Sequence, residues 1–136
     1  KKMIKELIKY KKKTKIIGVS MLTSLDQEDL KESGIMCDEN SYVEKLVKIG
    51  VSSGIDGVVS SPKEVKLLRK KFQKLILVTP GIRLSDDKKN DQKRTETPAK
   101  AIKNGSSMLI IGRTITQSTN PILSIEKIIQ SCFCVK

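Results

Sequence analysis

The residues best suited to chemistry stand in short clusters, and nearly all of them come directly after an apolar run. Leu22-Thr23-Ser24 follows the run from Lys15 to Met21, and Ser60-Ser61-Pro62 closes the run that starts at Asp56. Thr79-Pro80-Gly81-Ile82-Arg83 follows the run that starts at Lys74, a polar stretch then leads to Asp91-Gln92-Lys93-Arg94, and Gly112-Arg113 closes the run that starts at Met108. Glycine lets a backbone N–H approach an anion closely, and arginine supplies a flat fork of donors where lysine supplies only a point charge. Gly112-Arg113 therefore has the form of a phosphate grip, with Arg83 as a second forked donor. The chain has no histidine, which removes the commonest general base and the triads that depend on it.

These clusters need elements to position them. The four runs, Lys15 to Met21, Asp56 to Ser60, Lys74 to Thr79 and Met108 to Gly112, are rich in Ile, Val and Leu without strict alternation, as expected of parallel strands covered on both faces. Helical patterns lie between and after them, over Ser41 to Ser52, Pro62 to Phe72, Thr97 to Lys103 and Pro121 to Ile129. An amphipathic helix with Met3, Ile4, Leu7 and Ile8 on one face opens the chain. Alternation of strand and helix predicts an α/β fold with a parallel sheet, and the sites of such folds lie beyond the C-terminal ends of the strands. Periodicity alone leaves open whether the sheet is doubly wound or a segment of a barrel. The eighteen residues from Pro80 to Thr97 exceed the usual connection of about two to six, and such excess marks a binding loop.

At 136 residues and 38% hydrophobic content, one domain over residues 1–136 is expected. The net charge of +12 raises the question of an anionic partner, yet aromatic residues make up only 3%, too few for a base-stacking surface. Only four of the 27 basic residues are arginine; the lysines read as solvated helix faces, and Arg69 and Arg94 as surface residues. Cys37, Cys132 and Cys134 have no disulfide-framework spacing, and with no histidine and no second cysteine pair a zinc site is not expected. No apolar run approaches the roughly 20 residues of a membrane span. A cytoplasmic protein with no membrane or nucleic-acid partner is expected. Because the chain starts at Lys1 inside a helical pattern, it reads as a fragment.

Taken in order and spacing, Val19-Ser20-Met21-Leu22-Thr23-Ser24, Asp56-Gly57-Val58-Val59-Ser60-Ser61-Pro62, Thr79-Pro80-Gly81-Ile82-Arg83, Asp91-Gln92-Lys93-Arg94 and Ile111-Gly112-Arg113 resemble the motifs of bacterial orotidine 5'-phosphate decarboxylases. The resemblance runs from that family's fifth strand to its end, and its most specific element is the Thr-Pro-Gly-Ile-Arg run with the Asp-Gln that follows. It implies the last four βα units, strands 5 to 8, of a (β/α)8 TIM barrel. It further implies a homodimer when complete, which converts orotidine monophosphate to UMP and CO2 with no cofactor and no metal. Thr23 is then expected at the pyrimidine end of the nucleotide, Arg83 and Gln92 on the loop that closes over the phosphate, and Gly112 with Arg113 on the phosphate itself. Plainer roles compete: Thr23 as a helix cap, Gln92 as a loop surface residue, Gly112 as a strand-end turn.

The family's catalytic lysine between aspartates, in the pattern D-x-K-x-x-D after its third strand, is expected to lie outside this chain. Asp86-Asp87-Lys88-Lys89-Asn90-Asp91 satisfies the pattern literally. It follows a polar loop with no buried strand before it to fix its side chains, so it is read as a chance match. The chain by itself is expected to be inactive, and its uncovered barrel-facing surface invites association. Two other functions fit parts of the sequence: a sugar-phosphate aldolase or synthase of the same barrel class, and a basic nucleic-acid module built on the Lys11-Lys12-Lys13 cluster.

Overall fold

The computed structural model describes residues 1–85 and 93–133. Four strands, β1 (Ile17–Val19), β2 (Gly57–Val59), β3 (Ile76–Thr79) and β4 (Met108–Leu109), form one sheet. They lie in the order β1-β2-β3-β4 and every pairing is parallel. The described residues also form seven helices: α1 (Lys2–Lys9), α2 (Gln27–Glu32), α3 (Glu39–Val51), α4 (Val65–Lys71), α5 (Pro98–Lys103), α6 (Arg113–Thr116) and α7 (Pro121–Phe133). A doubly wound sheet reverses its strand order at a switch point. This sheet has no reversal.

The register explains the burial. Gly18, Val58 and Leu77 stand side by side on one face, and Val58 and Leu77 join Leu30 of α2, Val43 and Val47 of α3, and Val65 and Leu68 of α4 in a continuous core. On the opposite face, Val19, Val59, Val78 and Met108 are aligned across all four strands; Val19 is 63% and Met108 59% exposed. The helices of the core thus cover one face and leave an apolar row on the other, the arrangement expected of a barrel segment.

All four runs form the expected strands, with shorter cores. Hydrogen bonds continue past them, from Ser20 N–H to the Val59 carbonyl at 3.1 Å and from Ile110 N–H to the Thr79 carbonyl at 2.9 Å. The helix expected to start at Pro62 starts at Val65, with Glu64 as its cap. Sequence periodicity gave no sign of two short helices. The first, α2, has a capping box in which Asp26 accepts from Glu28 and Asp29 N–H while Asp29 accepts from Asp26 N–H. The second, α6, is a single turn after Gly112. The first helix, α1, leaves Met3, Leu7 and Tyr10 exposed.

Candidate functional site

Parallel strands all deliver their following turns to one edge of the sheet, so Thr23, Ser60-Ser61, Gly81-Ile82-Arg83 and Gly112-Arg113 are gathered there by topology. Thr23 is half-buried and does not cap α2, whose cap is Asp26. Its carbonyl instead accepts the N–H groups of Lys93 and Arg94, at 3.2 and 3.3 Å. The far end of the long connection is therefore tied to the turn after β1.

That connection is pinned at its near end as well. Arg83 N–H donates to the Glu96 carbonyl at 3.0 Å, and Glu96 N–H donates to the Gly81 carbonyl at 3.1 Å. Gly81 has φ +78°, and a Cβ there would lie 2.8 Å from the Arg94 carbonyl oxygen, so both backbone conformation and space require glycine. Arg83 is buried, and its Nη1 donates to the Ile82 carbonyl at 2.8 Å. Thr114 Oγ1 lies 3.5 Å from the same carbonyl oxygen, which brings the turn carrying Gly112 and Arg113 beside the turn carrying Arg83.

Gly112 differs from Gly81. It is exposed, and a Cβ at this position would meet no atom of the described structure within 4 Å. Its carbonyl accepts the N–H groups of Ile115 and Thr116, so the turn is held from behind while no described residue covers its outer side. Arg113 beside it is half-buried. Gln92 and the literal lysine-aspartate match at Asp86 to Asp91 lie outside the described residues.

Two arginines expected as ordinary surface residues instead join separate elements, one of them buried and the other half-buried. Arg94 is 1% exposed. Its Nη1 donates to Glu64 Oε1 at 2.6 Å, and its Nη2 donates to the Leu22 and Met21 carbonyls at 2.7 and 3.2 Å. Glu64 Oε1 also accepts from Ser61 Oγ at 2.8 Å. Burial raises the Glu64 carboxyl above its ordinary range, against the pull of Arg94 and Ser61. Arg69 is half-buried and donates to the carbonyls of Gly105, Gln73 and Leu75 and to Ser107 Oγ. It closes the opposite end of the sheet. In both cases a fork of donors meets several carbonyls at once, which gives arginine its advantage over lysine. The remaining signal for Arg94 was its scarcity as an arginine in a lysine-rich chain.

Next to Arg94, exposed Lys93 bridges Asp26 Oδ2 at 2.8 Å and Asp29 Oδ2 at 3.0 Å. The bond from Lys93, followed by the Asp29 N–H, lowers the Asp26 carboxyl to about 2, and the same two carboxylates raise the Lys93 ammonium. Among the described residues no group of three or more His, Cys, Asp or Glu side chains could hold a metal. No described helix is long and apolar enough to cross a membrane.

This arrangement has known counterparts. Residues 1–128 match the orotidine 5'-phosphate decarboxylase / HUMPS family. An orotidine 5'-phosphate decarboxylase of Coxiella burnetii is 51% identical over 122 residues, covering 89% of this chain and 52% of the relative. One from Aquifex aeolicus is 43% identical over 128 residues, covering 92% and 55%. The crystal structure of the Lactobacillus acidophilus enzyme superposes with a TM-score of 0.75 at 32% identity, covering 96% of this chain and 58% of that one. The chain thus spans about half the length of the curated relatives it matches, and its parallel α/β sheet is shared with the family's TIM barrels. By sequence and by fold, the chain belongs to the orotidine 5'-phosphate decarboxylase / HUMPS family.

Proposed function

We propose that residues 1–136 form a single domain equivalent to strands 5 to 8 of an orotidine 5'-phosphate decarboxylase barrel, and that this half grips the nucleotide. Arg83, Gln92, Gly112 and Arg113 hold the phosphate of orotidine monophosphate, and Thr23 meets the pyrimidine end. The observation that carries this reading is the open space at Gly112 beside half-buried Arg113, on the strand edge that also carries Arg83 and Thr23. A bound phosphate would fill that space and accept backbone N–H groups and the arginine fork.

The reaction breaks one C–C bond: CO2 leaves, the electron pair stays on the pyrimidine ring, and a proton replaces the carboxyl group to give UMP. An ammonium fixed between carboxylates stabilises the developing carbanion and then donates that proton. In this reading those groups belong to the first four barrel units, and no cofactor or metal takes part. Phosphate binding contributes at a distance, because closure over the phosphate turns remote binding energy into stabilisation of the transition state. The complete barrel is a cytoplasmic homodimer, and the apolar row from Val19 to Met108 faces its interior.

The test is calorimetric titration of the chain with UMP and with uridine. UMP should bind at least about tenfold more tightly than uridine, and Arg113→Ala should abolish that preference. Equal affinities for the two ligands, or a preference untouched by Arg113→Ala, would refute the assignment of the phosphate site.

A further inference from the structure

We propose that Arg94 and Glu64 form a positioning strut that fixes the spacing between the pyrimidine end and the phosphate end of the nucleotide site; this rests on the proposed function above. Arg94 ties together the turns after three successive strands. Its backbone N–H and its Nη2 address the turn after β1, through the Thr23 carbonyl and through the Leu22 and Met21 carbonyls respectively. Its Nη1 reaches Glu64, which Ser61 orients from the turn after β2. Its carbonyl packs on Gly81, where a Cβ would come within 2.8 Å, in the turn after β3. Thr23 and Arg83, at opposite ends of the nucleotide in this reading, are thus held to a common rigid residue.

The pair is poorly built for stability alone. Both side chains are 1% exposed, and Glu64 Oε2, Arg94 Nε and Ser60 Oγ make no hydrogen bond among the described residues. A buried ion pair with unsatisfied atoms gains little over an apolar pair of the same volume. What an apolar pair cannot reproduce is the set of directional bonds to the Met21 and Leu22 carbonyls. Geometry is therefore the property that the pair supplies.

The experiment uses the full chain with UMP, uridine and inorganic phosphate as probes, in wild type, Arg94→Lys and the double variant Glu64→Met with Arg94→Met. The double variant replaces the ion pair by apolar side chains; its melting temperature sets the gain from removing a buried charge pair against the loss of the bonds to the Met21 and Leu22 carbonyls, and it is used where it folds. Arg94→Lys keeps the charge and loses the fork, and so serves if the double variant does not fold. UMP affinity should fall by roughly tenfold or more in both variants, while uridine and phosphate each bind within about threefold of wild type, since only the benefit of linking the two ends is lost. A parallel loss for all three probes would mean a merely structural role and would overturn the strut, as would unchanged UMP affinity. If wild type itself shows no preference for UMP over uridine, the proposed function fails first and the strut with it.

Discussion

Gly81 and Gly112 sit one strand apart at the same sheet edge, yet an added Cβ would meet backbone at the first and no described atom at the second. Replacing Gly81 by alanine puts a Cβ at φ +78°, 2.8 Å from the Arg94 carbonyl oxygen. The left-handed conformation costs alanine about 1–2 kcal/mol, and relieving the overlap with a backbone atom adds about 1 kcal/mol. Reduced freedom of the unfolded chain returns about 0.4–1 kcal/mol. The net expectation is a loss of about 2 kcal/mol. With a urea slope of about 1.5 kcal/mol per molar, the unfolding midpoint should fall by roughly 1 M. Gly112→Ala serves as the control: its φ is −104° and the added Cβ meets no described atom within 4 Å, so its midpoint should stay within roughly 0.5 M of wild type while its UMP affinity drops. The assay is urea denaturation followed by circular dichroism, with UMP titration of each variant. A Gly81→Ala midpoint equal to wild type, or a Gly112→Ala chain that binds UMP normally, would refute the reasoning at that position.

Two further outcomes are expected. Arg69→Lys should lower stability by about 1–2 kcal/mol in urea denaturation, because a single ammonium cannot serve the Gly105, Gln73 and Leu75 carbonyls and Ser107 Oγ together; no measurable loss would show that the half-exposed fork contributes nothing. Asp26 titrates at about 2 in the fold against an ordinary 3.8, so its stabilising effect is present above the ordinary value and is lost as pH falls towards the folded one. The melting-temperature gap between wild type and Asp26→Asn should accordingly be full at about pH 5 and close by about pH 2, whereas a gap that widens on acidification would reverse the sign.

Most of the architecture was legible because parallel strands with two apolar faces leave continuous runs, here Val58 and Leu77 towards the helices and Val59 and Val78 on the opposite face, and Lys74 to Thr79 needs no partner in view to read as β3. The strand ends were less legible. Among the described residues the edge strand β4 pairs with β3, which ends at Thr79, so the ladder stops at the Ile110 N–H to Thr79 carbonyl bond although the apolar run continues to Ile111. That Thr23, Arg83, Gly112 and Arg113 stand together was legible because parallel topology sends every such turn to one edge. Gln92 lies outside the described residues. Arg94 was misread for a physical reason: a charged residue is assigned to solvent unless its partner is known, and Glu64 is thirty positions away. Arg69 was misread likewise, since three of its four acceptors are backbone carbonyls that carry no sequence signal. Both arginines cross between elements, and local periodicity cannot report such pairings.

The most direct test mixes the purified chain with a separately expressed first half of the Coxiella burnetii relative and follows loss of CO2 from orotidine monophosphate. Decarboxylation that requires both pieces and disappears with Arg113→Ala would bear out a nucleotide-gripping half that lacks the catalytic groups. Decarboxylation by the chain alone would contradict it and would return Lys88 to consideration as the proton donor.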